Sequence, residues 1–255
     1  MKSRVFLLSE LVKRDLATRY AGSFAGGAWA LLNPLLLCLV YTVVFSKFLR
    51  IPTPEGFRGT YAEFLLAGLL PWIGFSEAVL RGSSGIVDNA HLIKKLPFPP
   101  QLLVMSGILS ALILQVVAFS ILVTWTGLSG RGTVRPLFIV GGLLLEVGIL
   151  VGPVLAFAAL QVFFRDFLQL LTPLLMVAFY LTPILYSAEQ IPRSFIFLLA
   201  LNPMADVAAL FRAGLFGTAP PPPLRFATDL AVSCVIAFAG QRFFARARSS
   251  FADLL

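Results

Sequence analysis

Residues 96–130 read LPFPPQLLVMSGILSALILQVVAFSILVTWTGLSG, 35 consecutive positions without a charged side chain. Residues 21–46 and 167–188 are uncharged in the same way. A helix needs about 20 apolar residues to cross a bilayer, so each run can hold a crossing. Across all 255 residues, 58% are hydrophobic and 13% are charged, where soluble domains carry about 25% charged residues. The sequence therefore predicts an all-α polytopic membrane protein, with residues 1–255 forming a single membrane domain.

Six helices are predicted to cross the membrane, because turn signals divide the apolar sequence into six segments of sufficient length. The loop GLSGRGTVR (127–135) separates the third span from the fourth, and Phe164-Arg165-Asp166 separates the fourth from the fifth. At the end of the second span, Glu77 and Arg81 form an i, i+4 pair that can neutralise itself. The predicted spans are residues 29–48, 61–79, 102–127, 136–162, 167–187 and 225–244.

An N-terminal interfacial amphipathic helix is predicted before the first span, at residues 4–20, RVFLLSELVKRDLATRY. Its apolar side chains recur at helical spacing on one face, so we expect it to lie on the membrane rather than cross it. Val5, Leu8, Val12 and Leu16 form the apolar face, and the basic residues Lys13, Arg14 and Arg19 lie outside it.

Residues 188–224, between the fifth and sixth spans, are too apolar for an ordinary loop and are broken repeatedly by proline and glycine. Two re-entrant half-helices, at about 193–201 and 204–216, fit this pattern. Backbone breaks at membrane depth are tolerated where surrounding protein shields them.

A short polar island, DNAHLIKKLPFP (88–99), separates two apolar stretches and holds the only histidine and the only adjacent lysine pair of the chain. Within residues 84–99 it predicts a short amphipathic helix stopped by prolines, an element suited to docking a partner at the membrane surface. The sequence has no G-x-x-x-x-G-K-[ST] phosphate loop, the usual cradle for ATP phosphates. Any energy that the chain uses must therefore come from a partner or a gradient.

The distribution of basic residues predicts the orientation. Twelve of the 20 Lys and Arg residues lie on the side that holds both termini, the island and Arg165, and eight lie on the other side. Because basic residues are enriched on the cytoplasmic side, the termini and the island are predicted to be cytoplasmic, and residues 188–224 extracytoplasmic. The net charge of +8 then reflects these flanks rather than nucleic-acid binding, and the spacing of the two cysteines suggests neither a metal nor a redox pair.

Six blocks of the sequence, in order through about four-fifths of the chain, resemble the membrane subunit of type-2 ABC exporters. Within that family they are most similar to the branch that exports O-antigen, teichoic acid and related surface polysaccharides. The resemblance implies a homodimer in the bacterial inner membrane, paired with two copies of a separate ATPase that binds ATP and Mg, so no cofactor is expected in this chain. The blocks are LVKRDLATRYAGSFAGGAWALLNPLL (11–36), LLAGLLPWIGFSEA (65–78), NAHLIKKLPFP (89–99), FFRD (163–166), LTPILY (181–186) and LNPM (201–204).

The resemblance also implies roles for two polar segments. The island would be the coupling helix that docks on the ATPase, with Leu92 and Ile93 filling a groove and the lysines pairing with acidic groups at its rim. Near the interfacial helix, Lys13, Arg14 and Arg19 would bind the diphosphate of a polyprenyl carrier; attraction to anionic headgroups explains their position equally well. The coupling residues expected are Asn89, His91, Leu92, Ile93, Lys94 and Lys95.

Aromatic and acidic residues inside the spans are the remaining candidates. A polysaccharide has apolar C–H faces that stack on aromatic rings, so a conduit for it should carry aromatics. Glu146 lies well inside a span, where an acid is costly; it either hydrogen-bonds another helix near Gly148 and Gly152 or acts directly in transport. The aromatics expected along the conduit are Tyr41, Phe45, Trp72, Phe75, Tyr180 and Tyr186.

The expected function is therefore ATP-driven export of a lipid-linked polysaccharide through an aromatic-lined path at a homodimer interface, with residues 188–224 as an outer gate. An exporter of a small lipid-like molecule or drug is the alternative with the same architecture. A membrane-embedded glycosyl- or phosphotransferase would need converging acids, whereas Glu55, Glu63, Glu189 and Asp206 share no motif. A gated channel would leave the docking helix unexplained.

Overall fold

The computed structural model describes residues 2–19, 28–54, 56–95 and 98–255, and all regular structure in these ranges is helical. The all-α fold predicted from the sequence is thus confirmed for the described chain. Tyr20 of the predicted interfacial helix, Glu55, and Leu96 and Pro97 of the island lie outside the described residues. The first six helices are α1 (Lys2–Arg19), α2 (Trp29–Tyr41), α3 (Tyr61–Asp88), α4 (Ala90–Lys95), α5 (Gln101–Leu128) and α6 (Pro136–Phe163).

The remaining regular structure comprises shorter helical segments and one further long helix. A π-helical segment, Thr42–Phe48, continues α2, and short 3-10 turns occur at Ala188–Gln190, Arg193–Phe195 and Arg248–Ser250. The remaining helices are α7 (Phe167–Leu181), α8 (Ile196–Ala200), α9 (Pro203–Phe216), α10 (Pro223–Ala247) and α11 (Phe251–Leu254).

Four helices of the described chain are long and apolar enough to cross a membrane: α3, α5, α6, and α10 with the turn that follows it. A fifth crossing is added if α8, with its preceding turn, and α9 count as one broken span; the two parts are bent by 87°. The first and fifth predicted spans contain shorter apolar helices, at Leu35–Phe45 and Phe167–Leu181. The chain is therefore a multi-span helical membrane protein, and six crossings remain a prediction.

Helix α3 is the most buried of these four and begins at a capping box. The Thr60 backbone N–H donates to Glu63 Oε2 over 2.6 Å, and the Glu63 N–H donates to Thr60 Oγ1 over 3.3 Å, which satisfies two of the free donors at the helix start. At the other end, Asn89 Nδ2 donates back to the Gly85 carbonyl over 3.0 Å. Both ends of the central helix are thus fixed by its own sequence.

Glycine lets α3 and α5 approach backbone to backbone. A Cβ atom added to Gly107 of α5 would lie 3.0 Å from the Arg81 carbonyl carbon, and one added to Gly85 would lie 3.0 Å from the Leu103 oxygen. Such contacts leave no room for a side chain, so small residues determine this helix pair.

Two apolar clusters fill the bundle. One surrounds the start of α3 together with α9, and the other joins the end of α3 to α5, α6, α10 and α11. In the second cluster Phe244 and Phe251 are fully buried and meet edge to face at 5.4 Å. We call the region of the first cluster the α9 end of the bundle. The region of the second cluster, against which Ile93 of α4 packs, is the α4 end.

Candidate functional site

A groove of about 370 Å³ lies between the end of α2, the middle of α3 and α7. We call it the aromatic groove. Four rings line it, and two hydroxyl-bearing side chains complete its polar character. These residues are Tyr41, Trp72, Phe179 and Tyr180, with Ser76 and Thr172.

The six aromatics predicted for a conduit are brought together here. Tyr41, Trp72 and Tyr180 line the groove, and each of the other three contacts one of them. Ring centroids are 5.7 Å apart for Tyr41 and Phe45 and 5.5 Å for Trp72 and Phe75, within the range of favourable aromatic pairs. The Tyr186 hydroxyl donates to the Tyr180 carbonyl over 2.8 Å.

Phe179 is a groove residue that the sequence analysis missed. Its ring lies 5.7 Å from Trp72 and 5.3 Å from Tyr180, and so connects α3 to α7. Its spacing of seven from Thr172 places both on one helical face, a signal that could have revealed it. Trp72 is only 6% exposed, whereas Tyr180 is 55% exposed. The groove thus has a fixed floor and an open rim.

Helix α1 is held against the end of α3 by charged side chains. Asp15 pairs with Arg81 at 2.6 Å, and Arg19 pairs with Glu77 at 2.5 Å. Glu77 and Arg81 therefore bind α1 instead of neutralising each other as the sequence suggested. Arg14 Nη2 adds a hydrogen bond of 3.0 Å to Asn89 Oδ1. We call these contacts the α1 clamp.

Arg14 and Arg19, two of the three residues predicted to bind a diphosphate, belong to the α1 clamp, and Lys13 does not. Arg19 is paired with Glu77, and Lys13, at the exposed face, is paired with Glu10 at 2.8 Å. A polar cavity of about 350 Å³ lies between α1, α3 and α5. Its lining includes Arg14, Asp15, Arg81, Ser84, Asp88 and Asn89.

The island forms the six-residue helix α4 directly after α3. His91 and Lys94 are exposed, and Leu92 and Ile93 are half-buried. Ile93 packs against the cluster at the α4 end, which includes Phe251. The side chain of Lys95 lies outside the described residues. The outward face of α4 is therefore more polar than the sequence alone suggested.

The LTPILY and LNPM blocks meet at the α9 end. Asn202 Nδ2 donates to Thr182 Oγ1 over 2.9 Å, and the Tyr61 hydroxyl donates to the Leu185 carbonyl over 2.5 Å. Between them, Arg212 donates to the carbonyls of Pro183 over 2.7 Å and Ile184 over 3.0 Å. Side chains from α3, from α9 and from the N-cap residue of α9 thus hold residues 182–185, which we call the anchored turn.

Arg212 is a further residue that the sequence analysis had counted only as a topological charge. Its guanidinium also donates to the Phe64 carbonyl over 3.2 Å and lies 3.7 Å above the Phe64 ring. Backbone carbonyls carry no signal in a sequence, so this arrangement had no pattern to reveal it.

Arg225, in the first turn of α10, connects the two arms of the bent segment. Its Nε donates to Asp206 Oδ2 of α9 over 2.5 Å, and its Nη2 donates to the Leu199 carbonyl of α8 over 2.6 Å. One side chain thus ties α8, α9 and α10 together.

Glu146 is fully buried and accepts a 2.6 Å hydrogen bond from Gln115 Nε2 of α5. Gly148 and Gly152 approach a different helix, since Cβ atoms added to them would meet Ser233 at 3.2 Å and the Ile236 carbonyl carbon at 2.6 Å, both in α10. The predicted hydrogen bond from Glu146 to another helix is therefore present, and it joins α6 to α5, whereas the two glycines pack against α10. In the described part of the chain, no group of three or more His, Cys, Asp or Glu residues could hold a metal ion.

Comparison with known proteins agrees with this architecture. Residues 7–216 match the ABC-2 type transporter family. The chain is 32% identical over 250 residues to the O-antigen export system permease protein RfbA of Myxococcus xanthus, covering 97% of this chain and 94% of that protein. A Klebsiella pneumoniae RfbA is 28% identical (81% and 78% covered), and the polysialic acid transport protein KpsM of Escherichia coli is 24% identical (79% and 78% covered).

The chain belongs to the ABC-2 type transporter membrane family. The family resemblance predicted from the six blocks is thereby confirmed, including its polysaccharide-export branch. A multi-pass membrane permease is the class that its fold and its relatives share.

Proposed function

We propose that this chain is the membrane permease of an ATP-driven exporter that moves a lipid-linked polysaccharide, such as an O-antigen, across the bacterial inner membrane. The aromatic groove is the observation that carries the proposal. Its rings can stack on the apolar faces of sugars, and the Tyr41, Tyr180, Ser76 and Thr172 hydroxyls can hydrogen-bond sugar hydroxyls. The names of the similar RfbA and KpsM proteins support a polysaccharide as cargo.

The transport path is proposed to lie between two copies of the chain. The aromatic groove is open on one side, and the α7 residues around it, Leu174, Val177 and Tyr180, are exposed. A second copy facing this groove would enclose the substrate between two sets of rings. Homodimerisation would then complete the path rather than merely stabilise the protein.

Energy would come from two copies of a separate ABC ATPase that bind ATP and Mg. The exposed His91 and Lys94 of α4, with the half-buried Leu92, offer a docking surface, and Asn89 connects it to the α1 clamp. The absence of a phosphate loop from the sequence supports a separate ATPase. In this arrangement α4 and both termini face the cytoplasm.

The substrate would enter beside α1 and leave past the bent segment. Arg14 lines the polar cavity under α1 and is the predicted diphosphate-binding residue best placed to meet a carrier there. At the α9 end, the 87° bend between α8 and α9 would form the outer gate, with the anchored turn as its fixed side.

A clean deletion in the native host tests the proposal. Surface polysaccharide should be lost while lipid-linked polysaccharide accumulates inside the cell. Complementation with Tyr180→Ala should restore little export, because this ring forms the open rim of the groove. Phe238→Ala is the matched control, since Phe238 is an exposed aromatic on α10, away from the groove, and it should complement fully. Unchanged surface polysaccharide in the deletion strain would overturn the proposal.

Export of a small lipid-like molecule is the second candidate, favoured by a second cavity. This cavity of about 540 Å³ lies between α2, α3 and α5, and its lining is mostly apolar, including Leu39, Leu66 and Trp125, with the Glu63–Arg131 ion pair among its polar residues. The same deletion separates the two candidates, because a lipid exporter would leave surface polysaccharide intact and change the membrane lipid composition instead.

A further inference from the structure

A buried acid–amide pair joins α5 to α6 in the middle of the bundle. Glu146 is 0% exposed and Gln115 is 4% exposed. Gln115 Nε2 donates to Glu146 Oε2 over 2.6 Å. No Lys, Arg or His of the described residues makes an ion pair with Glu146. An isolated buried carboxylate is among the most costly groups a protein can hold.

The two remaining oxygens of the pair pose a hydrogen-bonding problem. Glu146 Oε1 and Gln115 Oε1 are both buried, and neither receives a hydrogen bond from a protein donor in the described chain. An ionised carboxylate can only accept, and an amide oxygen can only accept. With Glu146 ionised, both oxygens would therefore lack a donor. A proton on Glu146 supplies the missing donor.

We infer that Glu146 is held as a neutral carboxylic acid that forms a two-bond ring with Gln115. Gln115 Nε2–H donates to Glu146 Oε2, and Glu146 Oε1–H donates to Gln115 Oε1. One bound proton thus satisfies both unpartnered oxygens and removes the buried charge. The pair is a proton-binding site in the core of the bundle, and its role is to position α5 against α6 rather than to contact substrate.

A third helix keeps the amide in place. Gly74 of α3 faces Gln115 so closely that an added Cβ atom would overlap Gln115 Oε1 and lie 2.5 Å from its Cδ. The missing side chain at residue 74 provides the space in which the amide lies. Gly74→Ala is therefore expected to push Gln115 away from Glu146. It would weaken the pair while both partner residues stay unchanged.

Infrared spectroscopy of the purified full-length protein tests the inference directly. At neutral pH the wild type should show the carbonyl stretch of a protonated, hydrogen-bonded carboxyl group. This band should vanish in Glu146→Gln and shift in Gln115→Leu, which removes the ring partner. A wild-type spectrum without the band, in which Glu146→Gln instead removes a carboxylate signal, would overturn the inference.

Export measurements provide a second, independent readout. Glu146→Gln can form the same two hydrogen bonds as an amide–amide pair, so its export should stay within about twofold of wild type. Glu146→Leu should lose thermal stability because Gln115 is left without a partner. A folded Glu146→Gln protein that cannot export would show that the acid itself is needed and would overturn the positioning role. Since the infrared band does not depend on cargo, the inference stands or falls separately from the proposed function.

Discussion

Arg212 shows how a single side chain can organise the α9 end of the bundle. In the described chain its partners are three backbone carbonyls and one ring, and no carboxylate makes an ion pair with it. A guanidinium presents five donors in a planar fork, so it can hold carbonyls from two separate segments at once. Arg212 thereby fixes the anchored turn to α3 and α9.

Replacing Arg212 tests this role. Each buried carbonyl left without a donor costs about 1–3 kcal/mol, so Arg212→Met should lower the melting temperature of the detergent-purified protein. Arg212→Lys keeps the charge but lacks the planar fork and should fall between Met and wild type. Arg193→Met is the control, because Arg193 is an exposed arginine in the same region. Equal melting temperatures for Arg212→Met and wild type would show that the carbonyls find other donors.

Which side chains contact each other was the feature least predictable from the sequence. Glu146 was correctly singled out as a costly buried acid, but its partner Gln115 lies 31 positions away on another helix. Glu77 and Arg81 have the i, i+4 spacing of a helical ion pair, yet each is paired with a side chain of α1 instead. Local spacing predicts which pairs can form on one helix, and it cannot weigh them against partners brought in by folding.

At the scale of elements, the α1 clamp makes α1 and the end of α3 one unit. Its two ion pairs have side chains that are only partly exposed, and Arg14 extends the contact to Asn89, where α4 begins. Movement of α4 should therefore be transmitted to α1 through side chains rather than through the connecting backbone.

Charge reversal tests this coupling. Asp15→Arg and Arg81→Asp should each reduce export, because attraction across the clamp becomes repulsion, and the double reversal should recover it. Exposed ion pairs contribute about 0.2–1 kcal/mol, and this partly buried pair is expected near the upper end. Export is measured as surface polysaccharide in the complemented deletion strain.

Lys13 and Glu10 provide the matched control for this experiment. They form an exposed ion pair within α1 and do not connect it to α3. Lys13→Glu with Glu10→Lys leaves the clamp intact, so any export that this variant loses would report carrier binding by Lys13 rather than coupling through the clamp. If the double reversal at residues 15 and 81 fails to recover export while each single variant is folded, the clamp is not the means of coupling.

The helices were predicted better than the contacts between side chains, because the length of an apolar run and the position of a proline are local signals. The long apolar runs became α3, α5, α6 and α10, and the island became α4. The first and fifth predicted spans gave shorter helices, since α2 passes into a π-helical segment and α7 ends before the anchored turn. Hydropathy reports where a chain is apolar and does not report where hydrogen bonds end a helix.

For the whole molecule, the docking surface depends on the C-terminus. Phe251 of α11 is fully buried in the cluster against which Ile93 of α4 packs. The far end of the chain therefore supports the helix that we propose to bind the ATPase.

Phe251→Ala should weaken this support. Truncating a buried phenylalanine costs about 3–5 kcal/mol, so the variant should have a lower melting temperature and retain less ATPase on co-purification. Leu254→Ala, on the same short helix but exposed, should behave like wild type in both assays. Normal ATPase retention by a destabilised Phe251→Ala protein would show that α4 docks without the C-terminal cluster.

Aromatic residues illustrate how far whole-molecule organisation can be predicted. Chemistry selected the six conduit candidates, and the fold gathers them around one groove. Which ring forms the floor and which the rim depends on burial, which sequence does not report. The family blocks were sufficient to identify the family, because several short patterns in a fixed order are far more specific than any one of them.

The burial pattern of helix α10 determines how freely its sequence can change. Only Ser233, Gly240, Phe244 and Ala247 are buried in it, and Gly240 crosses Gly152 of α6 in direct backbone contact. Near its start, Arg225 and Phe226 also contact the α9 end, whereas exposed positions such as Val232, Val235 and Phe238 should accept any apolar residue. Saturation mutagenesis should therefore find one narrow intolerant stripe, spaced by seven, four and three residues, together with sensitive positions at Arg225 and Phe226, while the exposed face tolerates most apolar substitutions.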